Sequence, residues 1–437
     1  MRPCNTNKDH EAKNPDSYFS SKFLSQVEVL SAEDIPDAPI DLEEKSDDSE
    51  RWRTIASNVI RLRRVKRLSQ KQLAIKAGIS LTKLTNLEKA ASEPSYRTVQ
   101  AVAEALEEKM IAVLRPVRPL VSVRFRALKK IDRLKYLHFA KENLLAKVSN
   151  WLDDYRYLED LLDDKMEFKL SSILNEIEFT DPLKMITLAK DSRARLNLNP
   201  DEPINNIARL IEEAGVKIGL FNAPIESLFG FSVGSEDGGP AIIINMWDKI
   251  PWERRIFTTA HELAHNIFRF ASSDPLRLEE NDNEETMANI FASHFLMPNA
   301  AFMNAWINAP DKNLIPRVLY VKQIFKVSYI TVLRRLFDNK LFGKGHNDVN
   351  IYKQFKNKYS VIYGKTLNNK EEIEPLIYDN KRLKSDQFYF QADRLKNLTI
   401  NAVIKQEISF SRGAEILEFD LLKMRRLVKI SYGRQSA

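Results

Sequence analysis

Five residues, HELAH at 261–265, constrain this 437-residue chain more than any other feature. They form the pattern H-E-x-x-H, which on an α-helix sets two imidazoles on one face, about 6 Å apart along the axis. The flanking residues IFTTA and NIFRF are apolar enough for this helix to be buried. The pattern predicts a metal site in which His261 and His265 are ligands, while Glu262 approaches a bound water without ligating. The alternative is two core histidines beside an incidental glutamate.

A third protein ligand has to come from a helix that packs beside the first one. The segment NEETMANIFASHFLMP follows about twenty residues on and carries Glu284 and Glu285 near its start. Glu285 shares a helix face with Asn289 and Ala292, where small residues allow close approach of the two helices. Glu284 is turned about 100° away and is predicted to stay in solvent. We therefore predict Glu285 as the third ligand, and His294, on the opposite side of the helix, is not counted as one.

A second signature lies at residues 60–107, in the segment that contains SQKQLAIKAGISLTKLTNLE. Ser69 is placed to cap a helix that runs from Gln70 to about Ala77. Gly78 then supplies the left-handed conformation that a tight turn requires. Ser80 is placed to cap a second helix that ends near Glu88. The pattern predicts a helix-turn-helix.

The second helix of such a motif is narrow enough to enter the major groove of DNA. The outward side chains that would reach base edges are Leu81, Thr82, Thr85 and Asn86. Asn86 can pair bidentately with adenine, and Leu81 can contact a thymine methyl group. The residues predicted to hold phosphates are Gln70, Arg61, Arg63 and Arg64. The alternative is a helical bundle that binds other proteins.

Charge is unevenly distributed along the chain, whose formal net charge is +7. Residues 1–50 hold 5 basic and 13 acidic side chains, a net −8, and are predicted to be a disordered acidic tail. Residues 51–115 hold 14 basic and 5 acidic side chains, a net +9, which favours a polyanionic partner. By itself, such charge also fits an ordinary solvated surface.

Cysteine content and hydropathy limit the class of protein. The single cysteine, Cys4, excludes an intramolecular disulfide framework and CxxC metal sites. No apolar run reaches the roughly 18 residues of a membrane span, and the N-terminus has no apolar signal region. We therefore expect a cytoplasmic protein with no membrane partner.

The remaining patterns predict a mainly α fold with a small β-sheet (α+β). The predicted domains are the tail, an N-terminal five-helix unit at 51–117, a helical connector at 118–184, the metal-site domain at 185–310, a winged-helix or helix-turn-helix-like segment at 311–345 and a helical region at 346–437. Within the last, Ser411–Leu427 has SRGAEILEF where a turn glycine is expected. We interpret it as a packing or dimer element.

Two parts of the predicted site stay open. The strand AIIIN, Ala241–Asn245, either lies at a sheet edge where an extended substrate adds as a strand, or lies in the sheet interior without substrate contact. No oxyanion-stabilising residue is identified, because packing or salt bridges explain Arg254 and Arg255 equally well.

Two family resemblances rest on these motifs. Residues 55–108, with SQKQLAIKAGIS and the LxxLE ending, resemble the Cro/cI-type (XRE) helix-turn-helix domain, which implies a homodimer on a palindromic double-stranded DNA operator. Residues 185–345 resemble the ImmA/IrrE metallopeptidases in the FTTAHELAH run, the ExxANxFA pattern and the closing LMP. The N-terminal arrangement and the C-terminal tail resemble longer members of that family, in which an XRE domain precedes the peptidase.

The ImmA/IrrE resemblance assigns roles to the motif residues. It implies that His261, His265 and Glu285 are metal ligands and that Glu262 is the catalytic acid/base. Members are described with Zn²⁺ or Mn²⁺, and two histidines with one glutamate do not choose between them. The implied activity is a narrow-specificity endopeptidase that cleaves a transcriptional repressor, in stress response or in control of mobile elements. A regulator whose peptidase fold serves as a sensor or partner platform, and an antitoxin-like regulator, are the alternatives.

Overall fold

The computed structural model describes residues 47–124, 135–174, 181–225, 228–272, 282–341, 348–364, 367 and 390–435. The predicted acidic tail lies outside these ranges except for its last four residues, which are helical. The described residues form two compact units. One contains residues 47–59 and Leu68–Val113, and the other contains Ile60–Arg67 and the described residues from Leu114 onwards. Within the described ranges, no helix combines the length and apolar character needed to cross a bilayer.

Residues 47–114 form five helices, the number that the sequence predicts for the N-terminal unit. They are α1 (Asp47–Val65), α2 (Gln70–Lys76), α3 (Leu81–Glu88), α4 (Tyr96–Ala105) and α5 (Met110–Leu114). Ser69 and Ser80 are the N-caps of α2 and α3, and each side chain accepts a hydrogen bond from a backbone N–H of the first turn. Gly78 has a φ of 63°, so the predicted left-handed turn is present.

The second unit contains the sheet and the remaining helices. Its elements are β1 (Val123–Arg124), α6 (Lys135–Leu162), α7 (Pro182–Arg195), α8 (Ile207–Glu213), β2 (Lys217–Phe221), β3 (Gly230–Val233), β4 (Ala241–Asn245), α9 (Trp252–Phe270), α10 (Asp282–Leu296), α11 (Asn299–Ile307), α12 (Leu314–Phe325), α13 (Tyr329–Asp338), α14 (Asp348–Tyr363), α15 (Arg394–Ile404), α16 (Phe410–Ile416) and α17 (Leu421–Gln435). The strand β1, within the predicted connector, was not anticipated from the sequence.

The four strands form one sheet in the order β1-β3-β4-β2. Strand β4 pairs in parallel with β2, from Lys217 opposite Ala241 onwards, and antiparallel with β3. All five β4 residues are buried. Of the two alternatives left open for this strand, the edge position is excluded and the interior position is present, because neighbouring strands already satisfy both of its hydrogen-bonding sides.

A single apolar core fixes the helix that carries HELAH. Helix α9 lies against β3 and β4, and α10 packs against both α7 and α9. Phe291, Phe295 and Ala288 of α10 are fully buried in this core. The same core includes Leu319 and Leu333. The packing therefore continues across the predicted domain boundary at residue 310.

The C-terminal helices dock on α6 and α8 through buried charge. The Glu212 carboxylate accepts hydrogen bonds from the backbone N–H groups of Asp393 and Arg394, at 2.9 and 3.1 Å. The Arg394 guanidinium donates to Glu159, which also pairs with Lys217 at 3.0 Å. Burial raises the pKa of Glu212 to about 7, although the two backbone hydrogen bonds act in the opposite direction.

This raised pKa predicts that the unit loses stability as pH rises. A carboxyl whose folded pKa lies above its unfolded value favours folding while it is protonated, and that advantage disappears between about pH 4.5 and 7. The shift corresponds to about 3 kcal/mol. Glu212→Gln should therefore flatten the fall in melting temperature between pH 5 and 8. Glu213→Gln, at the neighbouring exposed position, should leave that fall unchanged, and equal slopes in all three proteins would contradict the prediction.

Candidate metal centre and DNA-binding helices

Helix α9 carries the three functional residues of the motif, His261, Glu262 and His265. Pro251 precedes its first residue, where a missing N–H costs nothing, and Glu253 lies in its first turn. His265 and Glu262 are buried, and the side chain of His261 is 14% exposed. The imidazole centroids of His261 and His265 lie 4.8 Å apart, as expected for positions four residues apart on a helix.

Helix α10 brings Glu285 to the two rings. One carboxylate oxygen lies 3.4 Å from His261 Nε2, and the other lies 3.3 Å from His265 Nε2. The two Nε2 atoms are themselves 3.1 Å apart. Two ring nitrogens and one carboxylate therefore converge on a single point from two adjoining helices.

The outer nitrogen of each ring is held by a second residue of α10. The His265 Nδ1 atom lies 3.0 Å from Glu284 Oε1, and the His261 Nδ1 atom lies 3.1 Å from Asn289 Oδ1. Because both partners are oxygen acceptors, each Nδ1–H donates and each Nε2 is directed inward. The expectation that Glu284 stays in solvent is wrong, since it is buried against His265. The two adjacent glutamates in the sequence N-E-E-T, at the start of α10, are the sequence feature that could have indicated this role.

This donor set fits a divalent cation better than a structural ion pair. A carboxylate that only neutralised the histidines would have no need for both Nε2 atoms to face it. Carboxylate and amide partners on the far nitrogen of each ring are the usual supports of metal-binding histidines. His261, His265 and Glu285 can each offer one ligand atom, with all three atoms within 4.8 Å of one another. They are the residues that would hold the ion.

The charges of the cluster shift its pKa values strongly. Burial raises the pKa of Glu262, and the Glu285 carboxylate adds to this while the two histidines oppose it. Burial acts to lower the pKa of His265, but hydrogen bonds to Glu284 and Glu285 outweigh it and raise the pKa to about 10. Burial acts to raise the pKa of Glu285, yet hydrogen bonds from both histidines hold it far below its usual range. A cation would therefore displace a proton from His265 at neutral pH.

The contact between Glu284 and His265 gives a testable prediction. Removing a carboxylate that orients a metal-binding histidine typically weakens metal affinity tenfold to a hundredfold. Glu284→Ala should therefore raise the Kd for Zn²⁺ by this factor, measured by competition with a chromogenic chelator. The exposed neighbour Asp282→Asn, in the same first turn, is the control and should keep the wild-type Kd. A wild-type Kd for Glu284→Ala would mean that Glu284 serves packing alone.

The other polar candidates near the site have structural contacts. His294 accepts a hydrogen bond from Arg335 at 2.6 Å, and burial together with the arginine charge lowers its pKa to about 3. It is outside the cluster, as expected. Arg255 donates to the Trp247 carbonyl at 2.9 Å, and Arg254 lies 4.6 Å from the centroid of the Phe229 ring. These contacts support packing roles for both arginines.

Helix α3 exposes most of the side chains that the sequence predicts to contact DNA bases. Leu81, Thr82 and Asn86 are exposed, and Thr85 is half-buried. The inward positions Leu84 and Leu87 are buried in the core of the unit. Lys83, also exposed and not chosen from the sequence, adds a positive charge to this surface.

The predicted phosphate-binding residues already contact other groups of the protein. Gln70 donates to the Glu88 carboxylate at 2.7 Å. Arg61 donates to Asn143, and the Arg64 guanidinium lies 5.3 Å from the centroid of the Phe139 ring. Arg63 is half-buried. Phosphate contact by any of these residues therefore stays a prediction.

Two protein-family models match this chain, one in the metal-site domain and one in the helix-turn-helix domain. Residues 211–337 match the family model of the IrrE N-terminal-like domain, Peptidase_M78. Residues 60–111 match a helix-turn-helix family model, HTH_3. The first match contains α9 to α12, all but the last residue of α13 and the whole metal cluster, and the second contains α2 to α4. The ImmA/IrrE resemblance and the XRE-type resemblance are thereby confirmed.

Comparison with whole proteins adds little to this. No curated protein matches the chain. The structure of the apo form of ComR from S. thermophilus aligns over 88% of this chain and 99% of its own length, at 12% identity. Its TM-score is 0.14, which is too low for any structural argument.

Proposed function

We propose that this chain, an XRE-type helix-turn-helix protein with an IrrE-like metallopeptidase domain, is a DNA-binding regulator that cleaves a second regulatory protein. The observation that carries this proposal is the convergence of His261, His265 and Glu285, with Glu262 buried beside them. A fold retained only as a sensor or partner platform would have no need for a general base at the second position of the motif.

The residues of the cluster have distinct chemical tasks. His261, His265 and Glu285 would hold a divalent cation, which would supply Lewis acidity to lower the pKa of a water towards neutrality and to polarise a carbonyl oxygen. Glu262 accepts the proton from the attacking water and passes it to the leaving amine. Its raised pKa makes it a stronger base than an exposed glutamate. Glu284 and Asn289 hold the two rings in the tautomer that keeps Nε2 directed inward.

The proposed substrate is a transcriptional repressor, and the proposed setting is stress response or control of mobile elements. The ImmA/IrrE resemblance and the presence of a DNA-binding domain in the same chain both support a repressor substrate. One helix-turn-helix reads only half of a palindrome, so we propose a homodimer on a double-stranded operator. Zn²⁺ is the proposed metal, with Mn²⁺ as the alternative, since nitrogen and oxygen ligands suit both.

Cleavage of a purified repressor tests this function. The full chain, loaded with Zn²⁺ or Mn²⁺, is incubated with a Cro/cI-type repressor encoded beside it, and products are identified by mass spectrometry. We expect one defined cut that a chelator abolishes and metal restores. Full metal loading with no cut in a panel of such repressors would favour the sensor or platform function instead.

DNA reading by α3 is testable separately from cleavage. Asn86→Ala should weaken binding to the operator about tenfold to a hundredfold, because a bidentate contact with a base discriminates by roughly 1–3 kcal/mol. Binding to an unrelated duplex should change little, since phosphate contacts remain. Cleavage of free repressor should stay at the wild-type rate. Equal losses in the two assays would mean that the two domains do not act separately.

A further inference from the structure

The segment that follows α15 repeats the backbone of the N-terminal motif. Residues 409–424 match residues 69–84 at a constant offset of 340 positions. Each begins with a serine N-cap, Ser69 or Ser409, followed by a seven-residue helix. The next helix begins at Leu81 in one copy and at Leu421 in the other. The serine at position 80, which caps the second helix, is matched by Asp420, whose side chain accepts from Lys423 N at 2.7 Å.

The backbone hydrogen bonds of the two turns also correspond one to one. The backbone hydrogen bonds from Ala77 to Leu73, Gly78 to Ile75, Ile79 to Ala74 and Leu84 to Ser80 each recur between the residues 340 positions further on. Gly78 has a φ of 63°, and its counterpart Glu418 has a φ of 53°. A non-glycine residue therefore occupies the left-handed position, which is uncommon and allowed. The missing glycine does not exclude this turn.

The inward positions of the two motifs correspond as well. Leu73, Ala74 and Leu84 are buried in the first. Gly413, Ala414 and Met424 are buried in the second. A Cβ atom on Gly413 would lie 2.9 Å from the Met424 methyl group. The absence of a side chain at Gly413 on α16 therefore leaves room for the longer Met424 side chain on α17.

The second motif is fixed to the rest of its unit by residues outside α17. Arg412 of α16 pairs with Asp154 of α6, and Arg394 at the start of α15 pairs with Glu159. Tyr155 and Leu158 of α6 belong to the same buried apolar cluster as the motif. These links hold α15 and α16 in place and leave one face of α17 exposed.

That face is strongly basic. Helix α17 contains five basic and no acidic residues. Among residues 421–431, whose side chains the structure describes, the exposed ones are Leu421, Leu422, Lys423, Arg425, Arg426, Lys429 and Ile430. The four positions that correspond to Leu81, Thr82, Thr85 and Asn86 are Leu421, Leu422, Arg425 and Arg426. Within the described part of the chain, neither Arg425 nor Arg426 has a carboxylate partner.

We propose that α15, α16 and α17 form a second helix-turn-helix, and that α17 binds the major groove of double-stranded DNA. Arginine is the side chain that most often reads guanine, through paired hydrogen bonds to its O6 and N7 atoms. Arg425 and Arg426 occupy the base-reading positions, and Lys423 and Lys429 flank them for phosphate contact. This replaces the interpretation of Ser411–Leu427 as a packing or dimer element. One chain would then hold duplex DNA at two separate places.

Salt-dependent binding of the full chain to DNA tests this proposal. The probe is a fluorescent 30-base-pair duplex of mixed sequence, and anisotropy is measured from 50 to 300 mM KCl. We compare wild type with Arg425→Gln/Arg426→Gln and with Lys190→Gln/Lys353→Gln, which removes two exposed charges from α7 and α14. Thermal melting and metal content check that each variant is folded.

On this duplex of mixed sequence, which is not a selected guanine-containing site, the two arginines act by neutralising phosphates, so Arg425→Gln/Arg426→Gln should bind about tenfold more weakly. The slope of log K against log salt should become shallower by about 1.8, because each neutralised phosphate contributes about 0.9. The lysine control should change affinity less than twofold and keep the wild-type slope. Unchanged affinity and slope in the arginine variant would overturn the proposal. So would a loss of self-association, measured by sedimentation, with unchanged DNA binding, since α17 would then be a protein interface.

Discussion

Glu262→Gln is expected to retain its metal and to cleave a repressor about 10²–10⁴-fold more slowly than the wild type, as for the loss of a general base. The amide fills the same volume as the carboxylate but cannot accept a proton from water. The three predicted ligands are separate from Glu262, so the metal Kd should stay within twofold of the wild type. Metal content is measured by elemental analysis, and the initial rate by gel or mass spectrometry.

Two comparisons make this result specific to the active site. Glu167→Gln, at an exposed position of the same unit, should leave the rate unchanged. Zn²⁺ and Mn²⁺ forms should show the same relative loss, because the proton acceptor belongs to the protein and not to the ion. Wild-type activity in Glu262→Gln would exclude the glutamate as the general base. Joint loss of metal and activity would indicate a structural role for its buried carboxylate.

The sequence predicts those features of this protein that depend on local geometry. Two histidines four residues apart on a helix face one point whatever surrounds them, so His261 and His265 could be paired in advance. The caps Ser69 and Ser80 and the turn at Gly78 are also set by nearby residues, and both helices begin where expected. The apolar composition of the HELAH flanks also predicts their burial, which holds for most of these residues, although Phe270 is exposed.

The features that the sequence did not predict depend on contacts with a second helix or strand. A helical projection places Glu284 about 100° from Glu285, but an imidazole ring presents two nitrogens in different directions. His265 therefore binds both neighbours, Glu284 through Nδ1 and Glu285 through Nε2. The sequence also gave no order for the strands, because the residues paired between β4 and β2 lie 24 positions apart in the chain. At Glu418, a left-handed residue with a side chain hid a turn that glycine would have revealed.

Glu285→Gln should lose the metal itself, in contrast to Glu262→Gln. Binding of a structural Zn²⁺ ion by four ligands is worth roughly 10–16 kcal/mol, so one ligand accounts for about 3–4 kcal/mol. The Kd for Zn²⁺ should therefore rise by about two to three orders of magnitude, measured by chelator competition. Asp282→Asn removes a charge from the exposed first turn of the same helix and should change the Kd less than twofold.

The same variant separates the two halves of the proposed function. Cleavage should disappear at limiting Zn²⁺ and return in part when Zn²⁺ is raised, because the other donors and Glu262 remain. Operator binding should be unaffected, since the helix-turn-helix match at 60–111 does not include α10. A wild-type Kd would mean that the carboxylate serves only as a counterion for His261 and His265. In that case the cluster would be an ion pair, and the DNA-binding domain would carry the regulatory function without a peptidase.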